Sequence, residues 1–153
     1  MTQEEKLLLY KELCAMMPYG VVCLHPYGFG KLDSISAEDY GIEVTFKTND
    51  DNYYMIEQCM PCLRPMSSMS ESEKDELIKL CTHSYTEEDW EGDIDEVYGI
   101  QLFWKYNKNS NESAVRWEPS SFEALEWLYM HHFDIHGLIK KKLAIAAPEN
   151  IYK

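Results

Sequence analysis

From Gly41 to Thr48 the chain reads GIEVTFKT, with Ile42, Val44 and Phe46 alternating against Glu43, Thr45 and Lys47. A period of two over that length describes a strand with one buried and one wet face. The turn NDDN follows, and YYMIEQ then reads as a second strand. Two strands joined by so few residues pair as an antiparallel hairpin. A sheet of this kind must cover its apolar face, and amphipathic helices are the elements that can do so.

Residues 3 to 17 predict a helix, with Leu7, Leu8, Tyr10, Leu13, Cys14 and Met17 on one broad face. Glu4, Glu5, Lys6, Lys11 and Glu12 fill the remainder, and Pro18 and Gly20 stop it. Val21 to Leu24 is a short β-branched run closed by HPYGFG, with a return strand over Leu32 to Ile35. Ser70 and Glu73 have capping-box spacing ahead of a helix to Cys81, whose buried side is Leu77, Ile78, Leu80 and Cys81. VYGIQLFWKY is a further strand.

The segment Ser120-Ser121-Phe122-Glu123 starts a helix to His132, with Leu125, Leu128, Tyr129 and His132 in one stripe beside Phe122 and Trp127. Asp134 is placed to cap a last short helix holding Ile135, Leu138, Ile139 and Leu143. The order helix, strands, helix, strand, helices predicts an α+β fold, an antiparallel sheet with helices packed mainly on one face. At 153 residues, with 45% apolar and 27% charged side chains, the chain fits a single domain over residues 1–153.

The net charge of −13 excludes a phosphate-neutralising surface for nucleic acid and an anionic membrane as a docking plane. It permits a basic protein partner, or imitation of nucleic-acid charge; the plainer reading is an acidic surface that keeps a protein dispersed. The acids gather in HSYTEEDWEGDIDE, which holds no Lys or Arg, whereas Lys140, Lys141 and Lys142 concentrate positive charge. Acids near the start, where a signal peptide would carry bases, and five irregularly spaced cysteines predict a reducing cytoplasm. No run of apolar residues is long enough to span a bilayer.

Cys59-Met60-Pro61-Cys62 is the segment closest to recognisable chemistry. Two thiolates at that spacing can reach one zinc ion, and Cys81 with His83 could complete a tetrahedron. A Cys-x-His pair is not the usual second knuckle, however, and Cys81 falls where a helix buries a small apolar residue. A redox pair needs a strand running into a helix start, whereas Cys62 leads into LRPMSSMS. The bland reading is two semi-buried thiols at a strand end.

His132 and His136 stand four apart, as helical metal ligands would, but Asp134 interrupts the helix. His131, His132 and His136 are better read as residues complementing a helix C-terminus. The run Asp89, Glu91, Asp93, Asp95 is no EF-hand, since Ile94 and Ile100 occupy the glycine and terminal-glutamate positions. Arg64, in a Pro-containing loop, is expected to tie down carbonyls or carboxylates. No nucleophile elbow, phosphate-cradling glycine loop or dinucleotide fingerprint is present, so nothing in the sequence proposes an enzyme or calls for a cofactor.

Two segments carry a resemblance, CLRPMSSMSESEKDEL and FEALEWLYMHHFDIHGLIKKKLAIAAPENIY. They resemble a family of small proteins from phages, prophages and mobile elements of gut bacteria. The matching positions are Leu63, Arg64, Pro65, Met66, Ser67, Ser68 and Met69, then Trp127, His131, His132, Phe133, Asp134, Gly137, Leu138 and Ile139. The resemblance implies a mobile-element origin and carries over no activity. In that family pattern a lysine–proline–tyrosine run replaces the cysteine pair, which implies that the fold needs no metal there.

The expectation is therefore a non-enzymatic cytoplasmic accessory protein that binds another protein. The contact falls on Tyr85, Glu87, Glu88, Asp89, Trp90, Glu91, Asp93, Asp95 and Glu96, with Tyr85 and Trp90 as aromatic anchors. The alternatives are an acidic nucleic-acid mimic that antagonises a host defence system, and a small zinc or thiol-redox protein using Cys59 and Cys62.

Overall fold

The structure is a computed structural model and describes residues 1–47, 52–81, 90–95, 99–104, 114–117 and 122–152. The fold is α+β: among the described residues, three α-helices accompany a mixed, mostly antiparallel six-stranded sheet and a three-stranded sheet. The chain divides into two compact units, Met1–Arg64 with His136–Lys153, and Pro65–Ile135.

In the first unit, helix α1 (Gln3–Met16) opens on a capping box. The Thr2 hydroxyl accepts from the Glu5 amide, and the Glu5 carboxylate accepts from the Thr2 amide at 2.6 Å. Its buried stripe is Leu9, Glu12, Leu13 and Met16, while Leu7 and Met17 are exposed. The apolar face predicted from Leu7, Leu8, Tyr10, Cys14 and Met17 is thus rotated, and Glu12 moves from the wet side to the core. With LLLY in its second turn, this helix offers several apolar faces, and tertiary partners decide among them. A 3-10 turn at Met17–Tyr19 and Gly20, at φ +73°, end it as Pro18 and Gly20 predict.

The sheet runs β4 (Tyr53–Met55), β3 (Gly41–Phe46), β2 (Gly28–Glu38), β1 (Val22–His25), β5 (Met60–Leu63), β9 (Ile145–Ala146). The predicted hairpin is present, with Val44 opposite Tyr54 and Thr45 opposite Tyr53. β2 is longer than Leu32 to Ile35, and YYMIEQ leaves the strand at Met55 for a 3-10 turn at Ile56–Gln58. Gly30 stands opposite Cys23, where a Cβ would lie 2.9 Å from Cβ and Cγ of Phe46. The missing side chain lets Phe46 and His25 stack at 4.7 Å across β2.

β5 corrects the reading of the cysteine pair. Cys62 does not end a strand but lies inside one, between β1 and the parallel β9. Pro61 pairs with Cys23 without a donor, and the ladder beyond is completed by a side chain. The Tyr152 hydroxyl accepts from the Val22 amide at 3.3 Å and donates to the Cys62 carbonyl.

In the second unit, α2 (Glu71–Cys81) carries the predicted capping box, with the Ser70 amide donating to Glu73 at 2.8 Å. Leu77 packs with Met66, Met69, Ala124, Trp127, Leu128 and Phe133, and Leu80 and Ile135 flank them. Ala124, Trp127 and Leu128 belong to α3 (Phe122–Met130), on which Phe122 is exposed rather than flanking the core. The predicted cap at Ser120 and Ser121 lies outside the described residues. β6 (Trp90–Asp95), β7 (Gly99–Trp104) and β8 (Ala114–Trp117) form the second sheet in that order.

α3 closes in a Schellman motif. The Phe133 amide donates to the Leu128 carbonyl and the His132 amide to the Tyr129 carbonyl, with His132 at φ 58°. In the first unit the same arrangement recurs: Leu143 donates to Leu138, Lys142 to Ile139, and Lys142 has φ 60°. The short helix expected over Ile135 to Leu143 is therefore absent. Gly137, at φ +65°, and the left-handed Lys142 bracket a single closed turn, too short to propagate.

Candidate functional site

Cys23, Cys59 and Cys62 are all buried and unbridged. Burial pushes the Cys59 thiol up to about 12 and the Cys62 thiol up to about 11, and drives Cys23 well above its ordinary value. The Cys59 thiol donates to the Met55 carbonyl at 3.7 Å. A reactive or metal-binding cysteine needs the opposite environment, one that favours the thiolate. Cys81 ends α2 in the other unit, and His83 lies outside the described residues. Among the described residues no group of three or more His, Cys, Asp or Glu side chains is arranged to hold a metal ion.

The histidines separate. The His131 Nδ1 lies 2.8 Å from the Trp127 carbonyl, which can only accept, so that nitrogen carries the proton and serves the end of α3. Its ring stacks on Trp127 at 4.0 Å. His132 is buried at the left-handed position. His136, in the first unit, has Nδ1 2.6 Å from Oε1 of Glu12, a carboxylate only 4% exposed whose Oε2 meets no hydrogen-bond partner among the described residues. Sequence reasoning missed this pair. Glu12 does fall at the spacing of the stripe Leu9, Leu13, Met16, and that is the signal that could have found it.

The acidic segment is only partly described. Tyr85, Glu87, Glu88, Asp89 and Glu96 lie outside the described residues, whereas Trp90, Glu91, Asp93 and Asp95 belong to β6. The part of the predicted loop from Trp90 to Asp95 is therefore a strand, antiparallel to β7, with Glu91 opposite Phe103 and Asp93 opposite Gln101. Strand pairing overrode a composition that reads as a turn.

A second aromatic and acidic surface forms in the first unit, at the β4 end of the sheet. An open cleft of about 310 Å³ is lined by Pro26, Tyr27, Asn52, Tyr53, Tyr54 and Gln58. Tyr27 is 85% exposed and Tyr53 61% exposed. Tyr54 is held from behind: its ring lies 4.8 Å from His25 and 5.6 Å from Phe46, and the Tyr27 ring is 6.2 Å away. His25 Nδ1 accepts from the Tyr27 amide at 3.4 Å, which fixes the turn carrying Pro26 and Tyr27.

Tyr53 also borders a carboxylate group. Tyr40, 69% exposed, donates to Glu43 at 2.5 Å. That hydrogen bond, reinforced by the nearby Glu43, Glu38 and Tyr53, pushes the Tyr40 phenol up to about 12. Behind the cleft, Lys6 ties α1 to Glu57 and holds that carboxyl below its ordinary value. Tyr53, Tyr40, Glu43 and Glu38 thus form an exposed aromatic and acidic patch on one face of the sheet, and Tyr54 packs with His25 and Phe46 on the other. No helix among these residues is long and apolar enough to cross a membrane. No family model, curated protein or solved structure matches this chain.

Proposed function

We propose that this chain is a non-enzymatic accessory protein of the mobile-element kind its sequence resembles, working in the cytoplasm by binding a basic protein. The observation that carries the reading is the exposed pair Tyr40 and Tyr53 beside Glu43 and Glu38. Exposed tyrosine gives large contact area at low entropic cost, and carboxylates beside it select a positively charged partner. A net charge of −13 draws such a partner in and repels nucleic acid. The acidic strand β6 stands at one end of its sheet among the described residues, where negative charge also discourages unwanted strand pairing. It is assigned to steering, and the tyrosine surface to contact.

The test compares capture of host proteins by the wild type, by Glu38→Lys with Tyr53→Ala, and by Glu91→Lys with Asp93→Lys. The reading expects the first pair of substitutions to lose a specific basic protein, and the second pair to weaken its capture. A partner retained in full by the first variant removes the tyrosine surface from the account.

A further inference from the structure

Strand β2 is paired on both sides for only part of its length. Residues 28–31 lie against β1, and the Leu32 amide makes the last bond on that side, to the Val21 carbonyl at 2.9 Å. The chain ahead of Val21 turns away through Met17–Tyr19 and the left-handed Gly20. Residues 34–38 of β2 pair with β3 alone among the described residues, and Asp33 is the extra residue where the register shifts. Ser34, Ser36, Ala37 and Glu38 are all exposed.

The ladder decides which backbone groups point to the open side. The Met55 amide donates to Gln58 Oε1, so it faces away from β3, and Glu43 opposite it bonds towards β2 instead. Ser36 and Ser34, opposite Glu43 and Thr45, therefore direct their amides and carbonyls to β3, and Ile35 and Ala37 turn theirs outward. The bulge at Asp33 keeps them in phase with Leu32, whose amide points to the same side.

An edge of this kind binds by taking one more strand, whose main chain extends the ladder while its side chains set the choice of partner. Ser34 and Ser36 are short and share a face with Glu38 and Glu43. A long basic side chain on an added strand passes over Ser36 to Glu43, two strand spacings or about 10 Å away. Asp33 and Asp39 place further exposed carboxylates at the two ends of the edge. A second copy of this chain fits poorly. Pairing Ile35 with Ala37 of another copy brings Asp33 of each towards Asp39 of the other, between molecules that each carry −13.

We infer that the open edge of β2 over residues 34–38 receives an extended segment of the basic partner as an added β-strand, with arginine or lysine at alternate positions on the face of Glu38 and Glu43. This rests on the binding reading above and deepens it, naming the conformation of the segment recognised.

Calorimetric titration of the whole chain with an eight-residue peptide of alternating arginine and valine tests it, since such a strand presents all its arginines on one face. Two versions are N-methylated at every second amide, in opposite alternate sets. Affinity falls at least about tenfold for the set that faces β2 and less than about twofold for the other. Ala37→Pro removes an outward amide that takes no part in the β2–β3 ladder, and it also costs at least about tenfold. The methylated peptides probe the wild-type chain, so the comparison stands even where the proline disturbs the hairpin. Equal affinity for both methylated peptides overturns strand addition and leaves a basic-partner surface standing. Absence of binding by the parent peptide also overturns strand addition; the capture comparison above then decides the basic-partner reading, because Tyr53→Ala and Glu38→Lys leave the β2 backbone as it is. A wild-type dimer in sedimentation equilibrium that Ala37→Pro dissociates gives the edge to a second copy and overturns the proposal.

Discussion

Glu12 keeps a carboxylate inside the first unit by sharing it with His136, one oxygen paired at 2.6 Å and the other without a partner among the described residues. Removing the imidazole strands that charge in the core. His136→Ala is therefore expected to cost about 2–4 kcal/mol, somewhat under a fully buried pair because the imidazole is half open to water. Adding Glu12→Gln to His136→Ala recovers part of the loss; urea denaturation of both variants checks the coupling.

The thiols make a second residue-scale prediction. In the unfolded chain cysteine ionises near its ordinary 9.0, whereas folded Cys59 holds its proton to about 12 and Cys62 to about 11. Above the lower value the unfolded state releases protons that the folded state retains. The stability these thiols contribute is complete below about pH 9 and falls as pH climbs towards 11–12. Urea midpoints should drop on that alkaline side, with a shallower drop in Cys59→Ala and Cys62→Ala.

At the scale of elements, the two Schellman closures place His132 and Lys142 in left-handed backbone, a conformation that costs a side chain about 1–2 kcal/mol. His132 is buried and cannot simply be replaced, but Lys142 is exposed. Lys142→Gly relieves the strain and gives back some unfolded-state entropy, for an expected net gain of about 0.5–1 kcal/mol, read as a raised thermal midpoint. These closures also explain what the sequence conceals. The capping boxes at Thr2 and Ser70 and the alternation over Gly41–Phe46 are local, so they announce their elements. A Schellman end without glycine has no local signature. Strands Trp90–Asp95 and Ala114–Trp117 depend on partners across their sheet, and the cleft gathers Pro26 and Tyr27 from the turn between β1 and β2 with Asn52, Tyr53, Tyr54 and Gln58 from β4 and its flanks. The sequence supplied aromatic content and charge; it could not say which tyrosines would meet.

For the whole molecule, a charge of −13 reaches well beyond any single contact. Association with a basic peptide should slow by about tenfold between roughly 50 mM and 300 mM salt, while dissociation changes little, because screening acts on the encounter more than on the docked pair. Stopped-flow association and dissociation rates at the two salt concentrations separate these effects.

The second unit, Pro65–Ile135, is inserted in the middle of the first. Strand β9 joins β5 in parallel, and Tyr152 bridges β5 to β1, so the six-stranded sheet is finished by residues synthesised after the whole insertion. On the ribosome, β5 must wait with one flank unfilled while Pro65–Ile135 emerges and can collapse on its own core. A released chain that ends just short of Ile145 should therefore be cut by protease within residues 1–47, where the full chain is spared. Release of the last segment works like the closing of a clasp, making the earlier half durable only once translation has passed it.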